Sequence, residues 1–524
     1  MAEVSIPPLI QQMLEPGFYP HEVSEPIQLI QTHISYVLLT GKYAYKVKKP
    51  VNYGFLDFST LENRRHFSYE ELRLNQRGAA ELYLEVFPIA LVDGKYRLGD
   101  TGEPVEYVLK MLQFPEDALL SKLFKQGQLN EELVEELGRV VAAYHANKTV
   151  TNDYIRSFGE VEQVRVAFDE NYQQSEKYIG GPQTREQFEE TKRSTDTFFS
   201  EYGEVFKNRI KSDRIRECHG DLHLGNICLW QNKLWLFDCI EFNEPFRFVD
   251  VMYDVAYGVM DLDAQQRLDL SNAYLNTYLE VTGDWEGLQV LPIYLSRQSY
   301  VRAKVTSFLL DDPSVPASVK EEATKTAATY YKLASEYTKP RQGQLILMSG
   351  VSGSGKSTTA RYLARHLGAI HVRSDAVRKH LAGIPLFERG GDEIYTAEMT
   401  QKTYTRLLEL GILLAKQGYT VILDAKYDRQ QLREDAISLA QMHQIPIQIV
   451  QCTASKEVLQ KRLSERTGDI TDATVDLLES QLQQTEPFTE KEKPLVKILD
   501  TIQPLEAQLK EIIRRSIPLW HHQS

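Results

Sequence analysis

The stretch Gly350-Val351-Ser352-Gly353-Ser354-Gly355-Lys356-Ser357 constrains this chain more than any other. It has the spacing Gly-x4-Gly-Lys-Ser, follows the apolar run Leu345-Ile346-Leu347-Met348 and precedes a helix-forming run. Glycines at these places let backbone N–H groups turn inward around phosphates, and the helix that follows offers its positive N-terminus. The spacing therefore assigns Gly350, Ser352, Gly353, Ser354, Gly355, Lys356, Ser357 and Thr358 to nucleotide binding, with Lys356 reaching the β- and γ-phosphates and the Ser357 hydroxyl on Mg2+. Around this loop the pattern alternates. Strands are expected at 345–349, 370–373, 420–424 and 446–451, and helices at 356–367, 398–417, 430–443 and 455–465. Such alternation predicts a parallel sheet with helices on both faces. The run Val421-Ile422-Leu423-Asp424 ends in a carboxylate where such folds place an acid that helps hold Mg2+.

From Ala364 to Arg378 the sequence resembles small P-loop kinases such as gluconate kinase, adenylylsulfate kinase and the zeta-toxin group. The resemblance implies that Asp375 contacts the acceptor hydroxyl, with Arg373 and Arg378 as substrate clamps; a plain helix N-cap is the other reading of Asp375. The segment Arg462-Leu463-Ser464-Glu465-Arg466 resembles a lid. Arg462 and Arg466, four apart, would share one helix face and close on phosphates.

A second constellation lies upstream. In His219-Gly220-Asp221-Leu222-His223-Leu224-Gly225-Asn226, Asp and Asn stand five apart, as in a protein-kinase catalytic loop, with Gly where those have Arg. A hairpin across Gln231-Asn232-Lys233 would return the chain so that Asp238 lies beside Asn226, giving one Mg2+ two oxygen ligands. The motif closely resembles the aminoglycoside phosphotransferase and choline kinase group. By that resemblance Asp221 is the catalytic base, Asn226 and Asp238 bind metal, and Asp250 braces the catalytic loop. A lysine for the α- and β-phosphates is expected at Lys46, with Lys48 on the same side of the strand as its rival. The glutamate that holds it is expected at Glu70, with Glu71 as the alternative. No Gly-x-Gly-x-x-Gly loop precedes Lys46; the turn near Thr32-His33-Ile34-Ser35 stands there instead.

The expected organisation is a kinase-like domain over 1–338 (N-lobe about 20–114, C-lobe about 115–338), a linker at 339–343, a P-loop domain over 344–515 and a tail over 516–524. The fold class is thus multidomain: an α+β bilobal protein-kinase-like domain followed by an α/β P-loop NTPase domain with a parallel sheet. This order resembles a group of fused bacterial proteins described as predicted kinases.

Composition narrows the function. Hydrophobic content of 42% and charged content of 25% suit a folded protein, and no apolar run approaches the length of a membrane span. The N-terminus does not read as a secretion signal, and four cysteines without a Cys-x-x-Cys pair fit a reducing, cytoplasmic setting without structural zinc. A net charge of −13 argues against nucleic-acid backbones as partners. The leading expectation is two ATP- and Mg2+-dependent phosphotransferase sites acting on hydroxyl groups of small molecules. The alternatives are one catalytic half with a nucleotide-binding regulatory partner, or a nucleic-acid end kinase.

Overall fold

The computed structural model describes residues 6–99, 102–148, 150–465, 470–472 and 474–515. The chain forms two compact units. One comprises residues 1–129, 143–164 and 206–258; the other comprises 130–142, 165–205 and 259–524. Compactness thus groups residues 130–142, 165–205 and 259–338 with the parallel sheet that follows residue 343, whereas the Pro/Gly signal at 339–343 predicts a break there.

The first unit is built on a six-stranded antiparallel sheet of order β1-β2-β3-β6-β4-β5. Its strands are β1 (Gln28–Gln31), β2 (Ser35–Leu39), β3 (Tyr43–Lys48), β4 (Tyr83–Val92), β5 (Lys95–Leu98) and β6 (Pro104–Leu112). Alternation along β3 sends Tyr45 and Val47 into an apolar cluster with Ile10, Met13, Leu38 and Val108. Ala44, Lys46 and Lys48 therefore share the opposite face. Helix α1 (Leu61–Ala79) starts at Thr60, whose side chain accepts the Asn63 N–H. Its buried stripe includes Arg64, Ser68, Glu71, Leu74 and Asn75, at helical spacing. Farther along, β7 (Ile215–Glu217) pairs with β10 (Phe248–Asp250), and β8 (Ile227–Trp230) pairs with β9 (Lys233–Leu236). The β8–β9 turn is shorter than the sequence suggested. Gln231 and Asn232 both take positive φ, the conformation that matches strand twist in a two-residue hairpin, so Lys233 already belongs to β9.

The second unit carries a five-stranded parallel sheet of order β12-β13-β11-β14-β15. The strands are β11 (Gln344–Ser349), β12 (Ile370–Arg373), β13 (Thr420–Asp424), β14 (Ile447–Thr453) and β15 (Val496–Asp500). Strand β11 is central and buried at every position, which is why its sequence is a continuous apolar run rather than an alternating one. Strand β15 was not expected from the sequence. It lies at the sheet edge and reads Val-Lys-Ile-Leu-Asp, so its apolar signal is diluted.

The helices of this unit include α2 (Glu131–Ala143), α3 (Leu268–Thr282), α4 (Leu291–Ser307) and α5 (Ala317–Glu336) before the sheet. Within and after it come α6 (Lys356–Leu367), α7 (Ser374–Ala382), α8 (Ala397–Lys416), α9 (Gln430–Met442), α10 (Lys456–Ser464) and α11 (Leu505–Arg515). Ala360, Leu363 and Leu367 of α6 pack with Ile346, Met348, Ile422 and Val450 of the sheet, fixing the helix that begins at Lys356. Among the described residues no helix is long and apolar enough to cross a membrane.

Candidate active sites

The first centre is assembled by the sheet face that carries Lys46 and Lys48, by α1, and by the segment 219–241. Lys46 Nζ donates to Glu71 Oε1 at 2.7 Å and to Asp238 Oδ1 at 2.8 Å. Lys48 Nζ donates to Glu71 Oε2 at 2.6 Å and to Glu241 Oε1. The result is one continuous chain of charges, Asp238–Lys46–Glu71–Lys48–Glu241. Its interior is dry, since the side chains of Lys48 and Glu71 are 2% and 1% exposed, while Asp238 at 46% opens to solvent. Burial opposes ionisation of Glu71, yet Lys46 and Lys48 hold its carboxyl below the usual range. Burial likewise works against Asp238, and Lys46 again keeps it low. Glu241 goes the other way: burial pushes it up despite Lys48.

This geometry corrects the expectation of Glu70. A helix turns about 100° per residue, so Glu70 leaves the buried stripe that Glu71 occupies and pairs instead with Arg73 at 2.8 Å. Lys46 and Lys48, read as rivals, both meet Glu71.

Asp221 is held toward Asn226, whose Nδ2 donates to Asp221 O at 3.0 Å and Oδ2 at 3.2 Å. The Phe237 N–H donates to Asn226 O at 3.1 Å, which brings Asp238 alongside. Asp238 adopts φ +63°, and its N–H donates to Tyr83 Oη at 3.1 Å. A non-glycine residue in that region marks a position the surroundings impose, and such positions concentrate at functional sites. Gly220 has φ +85°, and a Cβ there would lie 2.6 Å from Phe246 O, so no larger residue fits after His219.

The brace of this loop is Asp254 rather than the expected Asp250. Asp254 accepts the N–H groups of His219 at 2.8 Å and Gly220 at 2.9 Å, and lies 3.2 Å from His145 Nε2. Asp250 serves Arg209, which reaches it through Nε and Nη2 at 2.7 Å each. The buried group His145, Cys218 and Asp254 brings ligand atoms within 4.8 Å of one another. With its oxygens already committed to three donors, Asp254 acts there as a structural acceptor.

The second centre surrounds the loop between β11 and α6. Gly350, Gly353 and Gly355 take φ of +134°, +80° and +87°, the left-handed conformations that a phosphate cradle requires. Lys356 Nζ donates to Val351 O at 2.9 Å, and the Ser352 N–H donates to Gln481 Oε1 at 2.9 Å. A cavity of about 1040 Å3 opens here, lined among others by Lys356, Ser357, Asp375, Arg378, Asp424 and Lys426. Asp375 is not a cap: the N-cap of α7 is Arg373, and Asp375 lies in the first turn. Burial pushes the Asp375 carboxyl up against the pull of Arg373. Asp424 is opposite in character. Burial disfavours its charge, but His371 Nε2 at 3.0 Å and the nearby Arg373 hold it well below the usual range. Lys356 is lowered by burial, with Asp424 opposing. Arg378 is pinned by the Ile394 carbonyl at 2.8 Å.

Arg462 does not face Asp375. It donates to Thr501 Oγ1 at 2.8 Å and Thr501 O at 2.9 Å, and lies 3.3 Å from Gly353 O, on the other side of the loop. Arg466 lies outside the described residues. Sequence reasoning noted Glu241 in the Asp238-Cys239-Ile240-Glu241-Phe242 run and Asp254 after Asp250 without giving either a role, and missed Tyr83, His371 and Gln481. A signal existed for His371, which sits two residues before Arg373 and so shares its strand face; the others meet their partners only through distant pairings.

Residues 345–488 match the AAA domain family. A shikimate kinase of Geobacter sulfurreducens is 32% identical over 127 residues, 24% of this chain and 63% of that protein. The structure of the GDP complex of aminoglycoside 2′-phosphotransferase-IIIa is similar to 62% of this chain and 97% of that one, at 10% identity and a TM-score of 0.38. The chain also matches Rv2004c, an uncharacterized protein of Mycobacterium tuberculosis, and Mb2027c, an uncharacterized protein of Mycobacterium bovis. Each is 30% identical over 460 residues, 86% of this chain and 88% of the relative. The chain, an antiparallel-sheet unit and a parallel-sheet unit whose residues 345–488 match the AAA domain family, therefore belongs to the family of these mycobacterial proteins.

Proposed function

We propose that the chain is a MgATP-dependent phosphotransferase with two nucleotide sites, each moving a γ-phosphoryl group to a hydroxyl of a small molecule. The observation that carries this reading is the same pairing in both centres: a cation placed for phosphates beside a carboxylate placed for an acceptor. In the first centre Lys46 pairs with Asp238 at 2.8 Å, and Asp238 in turn lies near enough to Asp221 for the two carboxylates to repel; in the second, Lys356 and Asp375 line one cavity. Phosphoryl transfer asks little covalent chemistry of a protein and depends on position and charge. The acceptor oxygen bonds to the γ-phosphorus as the bond to the β,γ-bridging oxygen breaks. The carboxylate takes the hydroxyl proton, and ADP leaves.

The donor sets suit Mg2+, which prefers hard oxygen ligands. With its Nδ2 engaged by Asp221, Asn226 turns its Oδ1 elsewhere, and Asp238 supplies a carboxylate held ionised by Lys46. At the second centre Ser357 and the ionised Asp424 would hold the ion. When bound, the metal supplies positive charge to the phosphates. The phosphate cover of the first site contains no glycine; Thr32 Oγ1 accepts the N–H groups of Ile34 and Ser35 and tightens the β1–β2 turn instead. Four free, buried cysteines and a net charge of −13 favour a cytoplasmic enzyme of small metabolites over one of nucleic-acid ends.

The test is ADP release by the full chain across a panel of hydroxyl-bearing metabolites, for the parent protein, Asp221→Asn and Lys356→Ala. Two acceptors, each lost with one substitution, are expected. A panel in which one substitution abolishes all turnover and the other changes none would assign the chemistry to a single site.

A further inference from the structure

The P-loop is flanked by two cavities. The one that holds Asp375 has been described. The other, of about 820 Å3, falls within the roughly 300–1,000 Å3 typical of small-molecule sites. Gly353, Gly355, Thr358, Arg361 and Arg373 line both, so the loop and the start of α6 form the seam between them. A nucleotide whose phosphates rest on that seam, with its γ-phosphate toward Asp375, must send its nucleoside into the second cavity. One side of that cavity is Arg462 and Thr501. The other side comes from far upstream: Glu135 and Arg139 of α2, and Asn276, Thr277 and Glu280 of α3.

We propose that α2 and α3 form the outer wall of the nucleoside half of the P-loop site, so that the base and ribose of a nucleoside triphosphate are recognised partly by residues preceding the P-loop domain. This rests on the reading of that loop as a nucleotide site. The wall is rigid. A Cβ at Gly138 would lie 2.9 Å from Tyr274 O, so α2 and α3 meet backbone to backbone. It is also fixed to the sheet. Strand β12 is an edge strand, and Asn276 completes its open edge as a neighbouring strand would: Oδ1 accepts the His371 N–H at 2.8 Å, and Nδ2 donates to Ala369 O at 3.0 Å. Asn272 Nδ2 donates to the same carbonyl at 2.9 Å. One turn on, Glu280 Oε1 lies 3.4 Å from Arg373 Nη1, and the Glu280 carbonyl lies 2.8 Å from His380 Nε2. From the other side Arg365 of α6 pairs with Glu131 and, at 2.9 Å, with Glu135. The carboxylates of Glu135 and Glu280 present acceptors suited to ribose hydroxyls or an exocyclic amine.

Photolabelling of the full chain with 8-azido-ATP and Mg2+, mapped by peptide mass spectrometry, tests the wall. The expected result is label on peptides containing 131–143 or 268–282, competed by ATP and absent from Lys356→Ala. Label confined to the Arg462 and Thr501 peptides would overturn the wall and leave the nucleotide reading standing. Absence of any Lys356-dependent label would overturn both. As a second measure, Arg139→Glu, at a partly exposed position of the cavity wall whose side chain otherwise pairs, among the described residues, only with Glu136 one turn away on α2, weakens the Lys356-dependent step of MgATP binding by about fivefold or more at an unchanged melting temperature. An unchanged affinity contradicts the proposal.

Discussion

In the proposed function the two centres grip phosphate by opposite means. The first relies on side chains in a buried chain of charges, Asp238–Lys46–Glu71–Lys48–Glu241, drawn from a strand, a helix and the segment after β9. The second relies on backbone amides in a loop shaped by glycines, and its lysine rests on a loop carbonyl. Where side chains do the gripping, the gripping residues also hold the fold, because removing one strands a buried charge. Where the backbone does it, the cation is available for function and is nearly dispensable for stability.

The sharpest way to break this comparison is at the acceptor carboxylates. Asp221→Asn and Asp375→Asn each lower turnover at their own site by about 10²- to 10⁴-fold, the range for loss of a general base, and leave the other site unchanged. Acceptor-resolved product assays read both. Next in size is stability. Lys48→Met leaves Glu71 and Glu241 short of a buried cation and costs about 3–5 kcal/mol in denaturant unfolding. Lys356→Met abolishes nucleotide binding at its site but costs less than about 1 kcal/mol, since Lys356 gives up a single hydrogen bond to Val351 O.

Acidity separates the centres too. Burial raises the Asp375 carboxyl, so it takes up a proton at a higher pH than an ordinary carboxyl would. As pH is lowered, turnover at the P-loop site therefore falls before nucleotide binding at the first site does. Asp238, held low by Lys46, stays ionised across the same range, and Mg-nucleotide binding at the first site persists. Rate and binding profiles between pH 5 and 8 check this; a first site that loses nucleotide before the second loses turnover would reverse it. The smallest expected effect is at Glu70. Its ion pair with Arg73 lies at the surface, so Glu70→Ala costs less than about 1 kcal/mol and spares activity, whereas Glu71→Ala is as severe as Lys48→Met.

The same contrast governs what could be read from sequence. A backbone device needs glycines and a lysine at fixed local spacing, so Gly350 to Ser357 was legible entire, as was the sheet around it except for the diluted edge strand β15. Asp221, Asn226 and Asp238 were legible because a short hairpin links them. The partners of Lys46 were not. Glu70 and Glu71 are adjacent in sequence and differ only in which face of α1 they occupy, a matter settled by Lys48 and Glu241 from other elements. Asp254 was passed over for Asp250 because both precede or open the same helix, and only the pairing of Arg209 with Asp250 distinguishes them. The α2–α3 wall was invisible because the hydrogen bonds that fix it join residues 93 to 230 positions apart.

The most direct test of the central claim is titration calorimetry of the full chain with Mg2+ and a non-hydrolysable ATP analogue. The expected result is two binding steps per chain, of which Lys356→Ala removes one and Asp238→Ala the other, both vanishing without the metal. A single step unaffected by either substitution, or uptake indifferent to magnesium, would contradict it.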